Sequence, residues 1–162
     1  MAIVAYEMVY TGDFPEPSDI ECIPFEERYF PQYMRVYNAC FYEMRKSLGI
    51  APYDYLSDYS QIREKRGNIF LLVKDGEIVG SVACLGNEID DLIVNEKHQH
   101  KGYGRQLLLW GLNHIRRQNR EPVSLHVAEW NQRAVRLYRD VGFEITRIER
   151  ICPRNTTGGR SD

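Results

Sequence analysis

The stretch EIDDLIVNEKHQHKGYGRQLLLWG, residues 88–111, sets the reading of the whole chain. Ile89, Leu92, Ile93 and Val94 form an apolar run with the β-branched bias of a buried strand. Asn95 to His98 break that run. Gln99, His100, Lys101, Gly102, Tyr103 and Gly104 then open a segment whose apolar residues Leu107, Leu108, Leu112 and Ile115 recur at helical spacing. Glycine at 102 and 104 removes Cβ atoms where the backbone must turn sharply and bare its N–H groups. Bare N–H groups at a helix N-terminus, on the positive end of the dipole, suit an anion such as pyrophosphate. The nucleotide P-loop is excluded, because Arg105-Gln106 stands where Lys-Ser/Thr is needed. The dinucleotide fingerprint fails too, with Leu107 at its third glycine. Read alone, the turn fits a plain helix-capping glycine equally well.

A second motif lies downstream. Asn131, Ala134, Leu137, Tyr138, Gly142 and Phe143 spell N-x-x-A-x-x-L-Y-x-x-x-G-F. With Q-x-x-G-x-G at 99–104 and Val94 five residues before Gln99, this order and separation resembles the GCN5-related N-acetyltransferase superfamily over roughly residues 86–150.

The remaining chain reads as a strand over 2–10, a proline-containing linker over 11–19, and a short strand at 20–24. A helix is expected from about 27 to 48, with Pro31 in its first turn and Gly49 at its stop. A second, shorter helix is expected over 51–67. A hairpin follows, with strands 69–73 and 78–85 about a Lys74-Asp75-Gly76-Glu77 turn, then strand 88–95 and helix 102–118. Strand 123–130, a helix over 132–141 capped by Asn131 and stopped by Gly142, and a strand over 143–151 complete the order. The expected fold is α/β (or α+β): a single mixed, largely antiparallel sheet of about seven strands covered by four helices. The resemblance implies the acyl-CoA N-acyltransferase fold. One domain is expected over residues 1–152, with a disordered tail over 153–162.

Hydrophobic content of 43% and charged content of 27% are those of a soluble globular protein. Residues 1–10 lack the basic start of a signal peptide and there is no apolar run of transmembrane length, so a cytoplasmic protein off the membrane is expected. Cys22, Cys40, Cys84 and Cys152 are widely spaced, which predicts reduced thiols, no metal site and no covalent acetyl-enzyme. The net charge of −2 hides an asymmetry. Residues 1–91 carry 16 Asp/Glu against 8 Lys/Arg, whereas residues 92–162 carry 13 Lys/Arg against 7 Asp/Glu. The basic half suits a polyanionic cofactor and the acidic half a cationic substrate.

Acetyl transfer from a thioester to an amine needs the amine deprotonated, the carbonyl oxygen met by a donor, and the leaving thiolate protonated. Glu88, Asp90 and Asp91 are the carboxylates at hand, and regular alternation puts Glu88 and Asp90 on one face and Asp91 on the other. The resemblance implies Glu88 as general base, six residues before Val94, and Tyr138 as the acid that protonates the thiolate. It also implies that Leu92, Ile93 and Val94 bind the acetyl-pantetheine arm through their backbone, with the Val94 amide as oxyanion donor. Gln99, His100, Lys101, Gly102, Tyr103, Gly104 and Arg105 would cradle the pyrophosphate, and Asn131 would reach the pantetheine. Nine of the eleven tyrosines lie in residues 6–59. Tyr53, Tyr55 and Asp58, with Asp54 and Tyr59, offer aromatic faces and carboxylates suited to an ammonium. Tyr33, Tyr37 and Phe41 form a helical stripe read as packing.

The expected function is an acetyl-CoA-dependent N-acetyltransferase that moves an acetyl group to a primary amine by direct transfer in a ternary complex. Acetyl-CoA serves as acyl donor, and the acceptor is a small-molecule or peptide amine. A non-catalytic coenzyme A-binding regulatory domain is the alternative. A nucleic-acid module, suggested by basic residues at 133, 136 and 139, is disfavoured by the sequence pI of about 6.1. Homodimerisation is left open.

Overall fold

In the computed structural model, which describes residues 3–151, seven strands form one sheet in the order β2-β3-β4-β5-β6-β1-β7. The strands are β1 (Ile3–Tyr10), β2 (Ile23–Pro24), β3 (Ile69–Lys74), β4 (Glu77–Leu85), β5 (Glu88–Val94), β6 (Val123–Ala128) and β7 (Glu144–Ile151). The helices are α1 (Phe30–Ser47), α2 (Tyr103–Arg116) and α3 (Gln132–Val141). The tail expected from residue 153 lies outside the described residues.

The β3–β4 hairpin closes through Asp75 and Gly76, at φ 51° and 77°, the left-handed pair that a two-residue hairpin turn requires. All strand pairs are antiparallel except β5–β6. Helix α2 buries Leu107, Leu108, Leu112 and Ile115 against β4 and β5. Each such side chain stabilises the fold by about 1.5–3 kcal/mol. Helix α1 covers the opposite face, where Tyr33 and Val36 pack on Ile69, Leu71, Ile78 and Ile93.

The expected helix over 51–67 does not form, so three α-helices rather than four cover the sheet. Only 3₁₀ turns at Tyr59–Gln61 and Arg63–Asn68 appear there. The physical reason lies on α1. The Asn38 side chain donates to the Leu56 carbonyl at 2.8 Å and accepts from the Leu56 amide at 2.9 Å, pinning the segment in an extended form. Leu56 is buried in the α1 cluster, and Gln61 takes the amides of Ser57 and Asp58. Those backbone groups are then lost to a helix.

Strand β5 departs from regular alternation. Ser81 pairs with Ile93 but Ala83 with Asp90, so Asp91 and Leu92 together oppose Val82, and Asp91 has φ 44°. This is a β-bulge. Ile89 therefore packs on the α2 side while Ile93 packs on the α1 side, although four residues apart. Asp91, expected on the face opposite Asp90, turns instead to the α1 side, where it meets Lys65.

Candidate active site

The parallel pair β5–β6 is joined only at its start, where Glu88 faces Ser124 and the Ser124 amide bonds the Asn87 carbonyl at 2.9 Å. Beyond that point the strands part, and the β6-side edge of β5 loses its sheet partner. The Asn95 amide bonds Val79 of β4, so by alternation the Val94 N–H points the other way, into the gap. The Val94 carbonyl, on that same edge, accepts from the Cys40 thiol at 3.2 Å and the Gln99 side chain at 3.1 Å.

From the gap a cleft of about 440 Å³ runs along α2 and α3. Of the sequence-predicted residues, Leu92, Ile93, Val94, Gln99, His100, Gly102, Tyr103, Gly104, Arg105, Asn131 and Tyr138 line it. Gly102 caps α2 at φ 88°, a conformation natural to glycine. The first α2 amides have no partner within the helix, and their residues line the cleft. Gly104 has no such torsion, and its role is close approach. A Cβ there would lie 3.9 Å from Val94 and 3.8 Å from Leu137, between two walls of the cleft. Arg105 is held by Glu16 at 3.2 Å.

Asn131 caps α3 through Oδ1, which accepts from the Ala134 amide at 3.3 Å, leaving its Nδ2 able to donate to the cleft. Tyr138 stands two turns further on. Burial pushes its phenol up to about 12, so it keeps its proton throughout the neutral range.

Five predicted residues do not line this cleft. Lys101 is exposed beside it. Glu88 sits at the foot of the β5–β6 gap, its side chain 41% exposed, with His126 Nδ1 at 3.2 Å. His126 in turn lies 3.7 Å from Glu7 and 3.8 Å from Glu149. Tyr53 packs edge-on against Tyr42, the Arg45 guanidinium lies over the Tyr55 ring at 4.7 Å, and Asp58 caps the Tyr59–Gln61 turn.

Sequence reasoning missed Cys40, Phe41, Ala134, Leu137 and Arg133 as cleft walls. Arg133 offers a cation to the glycine turn from α3, where its sequence suggested only a basic helix face. Phe41 belongs to a helical stripe that reads as packing, yet it lines the cleft.

A seven-stranded sheet parted beside a glycine-capped helix defines an acyltransferase scaffold, and comparison with known proteins bears on the class. The acetyltransferase (GNAT) family model matches residues 30–143. The chain belongs to the acetyltransferase (GNAT) family. Mycothiol acetyltransferase of Thermobifida fusca is 44% identical over 71 residues, covering 44% of this chain and 20% of that protein. The chain thus spans about a fifth of the length of the curated relatives it matches. Among solved structures, a GNAT-family protein of Novosphingobium aromaticivorans superposes at TM-score 0.71 with 17% identity, over 93% of this chain and 63% of that one. A GCN5-related N-acetyltransferase of Sphaerobacter thermophilus gives TM-score 0.66 with 20% identity, over 94% and 53%. Both likenesses bear on the fold.

Proposed function

We propose that this chain transfers an acetyl group from acetyl-CoA to a primary amine by direct attack in a ternary complex. One observation carries the reading. The unpaired edge of β5, the bare amides at the α2 N-terminus and the Tyr138 hydroxyl share a single cleft.

The residues present fit an acyl-CoA. Amides of Gly102 to Arg105 suit pyrophosphate, the space left by the missing Gly104 Cβ admits a close backbone approach, and Asn131 Nδ2 is placed for a pantetheine carbonyl. Bound there, acetyl-CoA supplies the activated acetyl thioester. The amine nitrogen forms its bond to the acetyl carbon and its proton passes to Glu88, directly or through water. The Val94 amide meets the charge developing on the carbonyl oxygen. The carbon–sulfur bond breaks, and the thiolate takes the Tyr138 proton, which solvent restores.

Direct transfer is favoured over an acetyl-cysteine route by the state of Cys40. Its thiol donates to the Val94 carbonyl, and burial pushes it up to about 11, so it is not a thiolate at neutral pH.

Calorimetry with acetyl-CoA, followed by measurement of free thiol released across a panel of primary amines, tests the reading. Binding with amine-dependent thiol release is expected. Binding without release from any amine would favour the regulatory alternative, and absence of binding would overturn both.

A further inference from the structure

Three walls of the cleft already have a part in the proposed reaction. The unpaired edge of β5 offers the Val94 N–H, the α2 N-terminus its amides, and α3 offers Asn131 and Tyr138. The fourth wall is α1, which among the described residues contributes Cys40 and Phe41. Cys40 fixes where that wall stands, because its thiol reaches the Val94 carbonyl at 3.2 Å. Helix α1 therefore crosses the cleft at the end of β5, beside the proposed oxyanion donor. Phe41 is the next residue, and its ring is braced from behind. Tyr33, Tyr37 and Phe41 recur at four-residue steps, which sets their rings along one face of α1. Phe41 lies 4.8 Å from Tyr37, Tyr37 lies 6.0 Å from Tyr33, and Tyr33 meets Phe25 edge-on at 5.5 Å. Tyr33 is 0% exposed and roots this column in the core between α1 and the sheet. A ring backed by close-packed rings cannot give way as a lone surface side chain would.

The carbonyl carbon of a thioester bears three groups in one plane: the oxygen, the sulfur and the acyl chain. With the oxygen on the Val94 amide and the sulfur toward Tyr138, the chain is left facing α1. We propose that Phe41 sets the length of the acyl group, closing the cleft behind an acetyl so that longer acyl donors are rejected. The inference rests on the acetyltransferase reading and names the residue that restricts its donor to a short acyl-CoA. A chain longer by several methylenes would have to drive the Phe41 ring into Tyr37, and overfilling a packed site is unfavourable. Tyr37 does not line the cleft, so it acts through Phe41 as a positioning residue.

Calorimetric titration of the wild-type chain and of Phe41→Ala with coenzyme A, acetyl-CoA and hexanoyl-CoA tests the proposal without turnover. The wild type should bind hexanoyl-CoA at least about 10-fold more weakly than acetyl-CoA, the low end for a misfit in an apolar pocket. Phe41→Ala should abolish that preference while binding free coenzyme A within about two-fold of wild type, since the acyl end is remote from the glycine turn. A substitution that merely loosened the fold would weaken all three ligands alike. Equal affinity of the wild type for the two acyl donors, or an unchanged preference in folded Phe41→Ala, overturns the proposal. Should Phe41→Ala fail to fold, Phe41→Leu takes its place, and the wild-type comparison decides by itself. Tyr37→Leu leaves the cleft lining intact and should relax the preference in part; an unshifted preference there overturns the bracing role. In turnover with a primary amine, the ratio of kcat/KM for hexanoyl-CoA to that for acetyl-CoA should rise about 10- to 100-fold in Phe41→Ala. A fall of both by the same factor would reduce Phe41 to packing. Failure of coenzyme A to bind the wild type would overturn the acetyltransferase reading and this inference with it. Coenzyme A bound with an unchanged acyl preference would overturn the inference alone.

Discussion

Residues 88–143 turn polar groups toward the cleft, whereas several polar side chains of residues 30–68 bond one another. In the first region, the Val94 N–H, the first α2 amides and Asn131 Nδ2 all face open space. In the second, Asn38 holds the Leu56 backbone, and Arg45 holds the Pro52 carbonyl at 2.8 Å and covers Tyr55. Tyr53 packs on Tyr42, and Asp58 and Gln61 cap a turn. A ligand of fixed chemistry can be met by backbone alone, which tolerates many side chains. In residues 51–68, where the sequence suggested acceptor contacts, several of these groups are instead held by the fold.

The largest effect that would break this contrast is expected at Gly104. Gly104→Asp sets a carboxylate among the amides proposed to hold pyrophosphate, and should weaken coenzyme A at least about 100-fold, a Coulombic as well as steric loss. Gly104→Ala is the control, because a Cβ there makes ordinary contacts at 3.8 and 3.9 Å. The alanine variant should melt like wild type. Any affinity it loses then reports how closely the ligand approaches the backbone, read by calorimetry.

Tyr138 comes next. Its ring packs 6.1 Å from Phe143, and Tyr138→Phe preserves that contact. The kcat should fall about 10²- to 10⁴-fold, the usual range for a positioned acid or base, with coenzyme A affinity unchanged. Since burial holds the phenol near about 12, wild-type kcat should show no loss from Tyr138 ionisation as pH rises to 10. Unaltered turnover in the phenylalanine variant would return Tyr138 to a packing role.

The same contrast governs what the sequence made legible. Strand β5, the turn and α2 could be read because their signals are local: an apolar run, two glycines and a helical period within 24 residues. The fold order and α3, with its Asn131 cap and Gly142 stop, were legible for the same reason. The bulge was not, since it arises from pairing with β4, and a regular alternation put Asp91 on the wrong face. The missing second helix depends on Asn38, 18 residues before Leu56. Cys40, Phe41 and Arg133 reach the cleft only because β5 and β6 part, and no short stretch of sequence carries that separation.

A smaller effect is expected at Glu88, which stands at the foot of the gap rather than on the cleft wall. Water filling the gap can relay a proton to it, and could partly replace it. Glu88→Gln should therefore slow kcat/KM about 10-fold at neutral pH, below the usual loss for a directly placed base. The deficit should shrink as pH climbs toward the amine pKa of about 10, where more acceptor is already neutral. A deficit that persists at high pH would point to lost binding or damage to the His126 contact. Wild-type rates at every pH would remove Glu88 from the mechanism.

The smallest effect tests whether a residue of the acceptor wall that looked suited to an ammonium is occupied instead by the fold. Asp58 accepts from the Ser60 amide at 3.2 Å and from the Ser60 hydroxyl, and its own amide bonds Gln61 Oε1 at 2.9 Å. These bonds, the Ser60 hydroxyl first, hold its carboxyl below the usual range. A carboxyl lowered on folding adds stability that is present above its unfolded pKa and fades as pH falls through the folded one. Any such contribution therefore disappears below about pH 4. Asparagine caps as well as aspartate but carries no charge. Asp58→Asn should leave the melting temperature at pH 7 nearly unchanged, flatten its small decline below pH 4, and alter the KM for a primary-amine acceptor by less than about two-fold. Asp58→Ala should lower the melting temperature through loss of the cap, again with little change in KM. If instead Asp58→Asn melts like wild type but raises KM several-fold, the carboxylate acts on the acceptor, and the wall formed by residues 51–68 recognises substrate as well as supporting itself.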